Sequence, residues 1–241
     1  MSVTRKRYFI NLCIRIVVFI ICLLMCLNPQ NYTILEGMNF FKEFHILHLF
    51  WLIWMYDMTC QIIPIKNKKA LGSQKLFANR YKPSTENLNK KTYTSFVKDS
   101  NKRALFVFIM WTMLLITLGT LYHFNIINKI CLFMVTASFS VFDLICVLIW
   151  CPFRIIMKSK CCTTCRIFNW DHFFMFSPLI FINSFYTDSL VIMAILVLIV
   201  WEVTLIIHPE RFREQTNITL RCSNCTDKLC TQYCQKKSKK R

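Results

Sequence analysis

Seven cysteines stand in two short polar stretches of an otherwise oily chain. The stretch KSKCCTTCRIFNWDH holds Cys161, Cys162 and Cys165, and RCSNCTDKLCTQYC holds Cys222, Cys225, Cys230 and Cys234. Two thiolates at Cys-x-x-Cys spacing can grip one ion from a single tight turn. Cys162-x-x-Cys165 and Cys222-x-x-Cys225 therefore predict a four-sulfur site that joins loop to tail. Lys158, Lys160, Arg166, Arg221 and Lys228 surround these thiols, and cationic neighbours favour the thiolate that a metal needs. Cys161, Cys230 and Cys234 remain for a second site, with His172, Asp171 or His208 as further ligands. Alternatively, all four tail cysteines hold one ion or one cluster. Their spacing, C-x2-C-x4-C-x3-C, differs from the bacterial ferredoxin run. Zinc is accordingly the favoured metal, an iron–sulfur cluster the alternative, and free redox thiols the third option.

A second set of chemistry-bearing residues lies inside apolar runs. Asp57 precedes MTCQII and Pro64, Asp143 precedes LICVLIWC and Pro152, and Glu202 precedes VTLIIH and Pro209. Each acid is followed by an apolar stretch and then Pro-x-basic, a weak internal repeat. At 1.5 Å per helical residue, each acid sits roughly 13–17 Å in from its exit charge, and Arg15 sits about 12 Å in from Arg7. Three acids and one arginine thus share one layer near mid-membrane. Charges at that depth are costly, so they face the bundle interior and pair. The layer is short of two positive charges if every acid is ionised. It reads either as a structural bridge with the other acids neutral, or as a proton or cation site or a pocket for a polar head group.

The elements that must position these residues are long apolar helices. The chain has 241 residues, 55% of them hydrophobic, with 22 Phe, 3 Gly and only 17% charged residues. Apolar runs fall at about 8–28, 45–64, 104–123, 130–150, 168–187 and 189–207, each near the roughly twenty residues that a bilayer crossing needs. The expected fold is an all-α integral membrane protein of six transmembrane helices arranged as three hairpins. These occupy residues 1–64, 104–150 and 168–207. Between and after them lie a basic loop at 65–103, a cysteine-rich loop at 151–167 and a cysteine-rich basic tail at 208–241.

The charge is sorted along the chain. Of the 30 Lys and Arg, three precede the first run, eleven lie in 65–103, four in 151–167 and nine after His208, whereas the alternate connections hold only Lys42 and Lys129. Basic segments stay on the cytoplasmic side, which places both termini inside and suggests a plasma (inner) membrane type of protein. The net charge of +18 is then a topology signal, not a nucleic-acid footprint. The partners it implies are the lipid bilayer and its anionic head groups. A cytoplasmic setting is reducing, which disfavours stable disulfides and strengthens the metal reading.

Other residues carry simpler readings. The first run is too long for a removable signal and lacks a small-residue cleavage site. His45 and His48, beside Trp51 and Trp54, read as an interfacial aromatic belt. Asp171-His172 resembles an acid–base pair and is equally well explained as a helix start. Pro178 and Gly119 alone interrupt helices internally, which weighs against a transporter, since transporters build sites from broken helices. No G-x-S-x-G, phosphate-gripping glycine loop or H-E-x-x-H is present, so no catalytic class is indicated. The sequence points to a metal-clasped membrane scaffold, sensor or assembly factor. An iron–sulfur redox protein and a proton- or cation-coupled carrier are the alternatives.

Overall fold

A computed structural model describes residues 3–42, 44–64, 72–84, 90–159, 165–225 and 229. Its principal helices are α1 (Val3–Met25), α2 (Ile46–Ile62), α3 (Lys90–His123), α4 (Lys129–Leu148), α5 (Pro152–Ile156), α6 (Asp171–Phe176) and α7 (Phe185–Ile207), joined largely by short 3₁₀ turns. No strand occurs among the described residues. Among the described residues, four helical stretches are long and apolar enough to cross a bilayer: Val3–Met25, Val97–His123, Lys129–Leu148 and Phe185–Ile207. Their outward faces are apolar too, with Ile10, Val17, Leu24, Phe106, Met113, Ile192 and Val203 all exposed. Surfaces of that kind are rare on soluble monomers and belong in lipid. The chain is an all-helical membrane protein.

Helix pairings fix the bundle. α1 lies along α4, α2 along α7, and α6 against both α4 and α7. The core between them is aromatic and aliphatic, with Tyr32, Trp54, Phe133, Phe176, Tyr186 and Trp201 all buried. Indole and phenol groups in such a core need partners. Trp51 Nε1 donates to Ser189 Oγ at 2.8 Å and Tyr186 Oη to the Leu47 carbonyl at 3.2 Å, both tying α2 to α7.

Helix ends are satisfied locally. Asn128 caps α4 by accepting from Cys131 N at 2.9 Å, and Ser184 caps α7 by accepting from Thr187 N at 3.2 Å. At the start of α2, His48 Nδ1 accepts from His45 N at 3.0 Å, and its Nε2 lies 2.8 Å from the Phe40 carbonyl. His48 is thus a buried capping residue among the rings of Phe40 and Phe44. The last carbonyls of a helix lack intrahelical donors. At the end of α2, Gln74 Nε2 supplies two, to the carbonyls of Cys60 (2.7 Å) and Ile63 (3.0 Å).

The basic loop and the tail meet at one end of the bundle. Residues 72–84 pair with the 209–221 segment through Ser84 N to Thr216 O at 3.0 Å and Ile218 N to Lys82 O at 2.9 Å. Arg221 adds a side-chain bond to Ser84 Oγ at 2.6 Å. The loop is also shorter than the sequence suggests, because α3 begins at Lys90.

The segment expected to be one span over 168–187 is not one helix. It forms a 3₁₀ turn (Arg166–Trp170), α6, and a second 3₁₀ turn (Ser177–Phe181), and α7 then starts at Phe185. Pro178 is the cause: it has no N–H to give the carbonyl four residues back, which belongs to Phe174. Ser177 Oγ donates to that carbonyl instead, at 3.3 Å, and itself accepts from Trp111 Nε1 at 3.0 Å. Gly119 of α3 lets this broken element pack closely, since a Cβ there would stand 2.6 Å from the Phe181 ring.

Candidate functional site

Asp57, five residues before the end of α2, and Asp143, five before the end of α4, reach one guanidinium. Arg15 Nη2 donates to Asp57 Oδ2 at 3.0 Å, and Nη1 donates to Asp143 Oδ2 at 2.9 Å. Nη1 also reaches the Ser140 carbonyl at 2.7 Å, one turn earlier on α4. The structure thus brings together three of the four charged residues singled out in the sequence, Arg15, Asp57 and Asp143.

Glu202 has a different partner. Arg166 grips it bidentately, with Nε to Oε1 at 3.0 Å and Nη2 to Oε2, and Trp170 Nε1 donates to Oε1 at 2.7 Å. Arg166 also donates to Asn101 Oδ1 at 2.7 Å and stacks over Trp170, 5.5 Å from the ring centre. Such fork-to-carboxylate pairing is the strong form of the ion pair. Glu202 thus anchors α7 to the 166–170 turn and to α3, and it leaves the Arg15 group to Asp57 and Asp143.

Two residues from the broken element take its place. The His172 ring, only 3% exposed, has Nδ1 2.9 Å from Asp171 Oδ1 and Nε2 3.4 Å from Asp57 Oδ2. Gln61, one turn beyond Asp57, donates from Nε2 to both Asp171 oxygens at 3.0 and 3.3 Å. One buried atom of this group, Gln61 Oε1, has no hydrogen-bond partner among the described residues, and His172 Nε2 has only Asp57 Oδ2. Three carboxylates thus face one guanidinium and one imidazole. A cavity of about 260 Å³ opens beside them, bordered by Arg7, Tyr8 and Asn11 of α1 as well as Arg15, Asp57 and His172. A buried acceptor left unpaired is costly, and Gln61 borders space that a small polar group can fill.

Sequence reasoning had Asp171 and His172 in view but not their destination. Their partners come from α2, more than a hundred residues away, and Gln61 carries no signal beyond standing four residues after Asp57.

The cysteines fall differently. Cys161, Cys162, Cys230 and Cys234 lie outside the described residues. The Cys222 backbone forms a 3₁₀ turn with Asn224, Cys225 is half-buried and Cys165 is buried. Among the described residues no three His, Cys, Asp or Glu side chains converge as a metal-binding group. Burial pushes the Cys165 thiol up to about 11, opposite to the direction its basic neighbours favour. Leu229, beside Cys230, is buried against Leu12, Leu144 and Leu148, with Phe168 packed on the same cluster. His208, a further candidate ligand, pairs with Glu210 Oε1 at 3.1 Å.

No protein-family model, curated protein or solved structure matches the chain.

Proposed function

We propose that this is a six-span membrane carrier, of plasma (inner) membrane type with both ends cytoplasmic, whose Arg15–Asp57–Asp143–Asp171–His172 network binds a proton or small cation during transport. One observation carries the reading: a connected network has more carboxylates than cations and borders a cavity, with the buried Gln61 amide oxygen lacking a partner among the described residues. Ionisable groups at such depth mark proton and ion paths. The broken 166–181 element adds support, because discontinuous helices are how carriers bring polar groups to mid-membrane. Its two 3₁₀ turns and six-residue helix extend roughly 29 Å if collinear, close to a bilayer core. The basic end would lie against anionic lipid head groups.

The test is proton flux in liposomes holding a pH-sensitive dye, with and without a cation gradient. The wild type should dissipate an imposed gradient at least tenfold faster than empty liposomes. Asp57→Asn and His172→Gln should abolish this while Glu202→Gln retains it. Wild-type flux equal to that of empty liposomes would sink the reading.

A second reading concerns the cysteines: a cytoplasmic clasp in which Cys161, Cys162, Cys165, Cys222, Cys225, Cys230 and Cys234 supply the ligands of a zinc site, or of an iron–sulfur cluster, joining loop to tail. What favours it is Leu229, which packs in one cluster with Phe168, three residues from Cys165. A metal at Cys165 would have to displace the proton that burial retains. Elemental analysis of anaerobically purified protein beside Cys222→Ser/Cys225→Ser decides. About one zinc per chain, lost in the variant, supports a structural clasp. Iron with sulfide supports a redox centre, and metal-free protein removes the clasp.

A further inference from the structure

A second cavity, of about 430 Å³, shares Asp143, Val147, Phe168 and Asp171 with the polar one. Its volume falls within the range of small-molecule sites. Aromatic rings dominate the lining, among them Trp111, Phe139, Phe142, Trp150 and Phe174. Phe142 and Trp150 are more than half exposed on the apolar outer surface, so the cavity opens towards lipid. Three thiols, those of Cys146, Cys151 and Cys165, also line it. Cys146 stands one turn after Asp143 on α4, and Cys151 caps α5 just beyond the end of α4. The Cys146 thiol is in hydrogen-bonding contact with that of Cys151.

We propose that this cavity binds a lipid-soluble quinone and that the Cys146–Cys151 thiol pair reduces it. Flat aromatic walls suit a quinone ring, and the opening towards lipid suits an apolar tail that stays in the bilayer. The pair of thiols makes the occupant an electron acceptor and not merely an acyl chain. In the reaction one thiol gives up its proton as its sulfur adds to a ring carbon, and the second sulfur attacks the first. The S–S bond forms as the S–C bond breaks, and its electron pair returns to the ring. The two thiol protons pass to the ring oxygens, with Asp143 and Asp171 in the wall as acceptors on the way. Two thiols and a quinone thus become a disulfide and a hydroquinone, with nothing left over. A dithiol reductant of the kind that keeps the cytoplasm reduced would reset the pair.

The proposal shares Asp143 and Asp171 with the transport network but has its own readouts, which do not depend on flux. The full-length protein, reduced, freed of reductant and held without oxygen in lipid nanodiscs, is mixed with decylubiquinone. Hydroquinone is followed by absorbance, and the Cys146–Cys151 disulfide by peptide mass spectrometry after alkylation. One disulfide should appear for each hydroquinone formed. The yield should fall at least tenfold in Cys146→Ser and in Cys151→Ser, and persist in Cys131→Ser at the far end of α4. Unchanged quinone with the wild type, as expected of a cavity filled only by acyl chains, overturns the proposal. So does a wild-type yield from both serine variants. If either serine variant fails to fold, the wild-type disulfide-to-hydroquinone ratio decides, and a ratio near zero overturns it.

Discussion

His172 Nε2 lies 3.4 Å from Asp57 Oδ2, the same oxygen that accepts from Arg15 Nη2 at 3.0 Å. One carboxylate oxygen thereby ties together α1, α2 and α6, which come from three distant parts of the chain. A pair removed from water repays its desolvation only when the geometry is good and the remaining atoms are satisfied. Asp57 meets that condition with two partners, and Arg15 meets it with Asp57, Asp143 and the Ser140 carbonyl.

Removing Arg15 should therefore expose the cost of uncompensated acids. Arg15→Met is expected to lower unfolding free energy in detergent by about 3 kcal/mol, the scale for breaking a buried pair from one side. Arg15→Met combined with Asp143→Leu should recover part of that loss. In a double-mutant cycle the coupling should exceed about 1 kcal/mol, as for residues in one network. Strict additivity would show that Asp143 and Arg15 do not depend on each other.

Glu202 should behave as an anchor. Glu202→Gln keeps an oxygen for Trp170 Nε1 but loses the charge that Arg166 grips. Its cost should be about 1–2 kcal/mol, and that of Glu202→Leu, which also strands the indole donor, should be larger. Melting temperatures of the two variants rank them. Equal costs would mean that the ion pair, and not the indole bond, holds α7 to the 166–170 turn.

Much of this arrangement could be read from residue order. Basic segments alternate with apolar runs, so Arg15, Asp57 and Asp143 all fall on the side of the basic ends, and simple rise per residue brings them to similar depth. Glu202 obeys the same arithmetic yet pairs elsewhere. Depth says nothing about angle around the bundle, and Arg166 approaches α7 from a turn that starts in the cysteine-rich loop and runs into the 168–187 stretch expected to be continuous helix. That expectation failed because Phe173, Phe174 and Phe176 keep the stretch apolar through the break. Only Pro178 marked it, and one proline is also compatible with a kinked span. His172 was legible as a residue but not as a partner, since the broken element is what turns it towards Asp57.

Gly119 offers a direct probe of that broken element. A methyl group at this position would sit 2.6 Å from two Phe181 ring atoms, so Gly119→Ala forces the ring or the helix to move. Overpacking of this kind costs about 1–3 kcal/mol, against the small gain in helix propensity that Ala brings. Gly119→Ala should lower the melting temperature, and Phe181→Leu should restore most of it. A more stable single variant would mean that α3 and the 177–181 turn do not touch as described.

Cys165 gives a prediction in pH. Burial raises its thiol from 9.0 to about 11, so the folded chain holds this proton more tightly than the unfolded chain does. Where the folded form binds more protons, stability falls as pH rises. Cys165 therefore contributes fully below about pH 9, and its contribution is lost progressively between 9 and 11, by about 2–3 kcal/mol in total. Lysines and tyrosines titrate over the same window, so the measurement is a difference: wild type against Cys165→Ala, by chemical unfolding in detergent at pH 8 and pH 10.5. The wild type should lose more stability between the two than the variant does. Thiolate at pH 8 should be only about one part in a thousand, so alkylation of Cys165 should lag at least tenfold behind that of half-buried Cys225. Equal alkylation rates and parallel pH curves would show that Cys165 meets solvent as a thiolate. A metal at Cys165 would add a separate signature, because coordination deprotonates the sulfur outright and removes the pH slope until the metal is chelated.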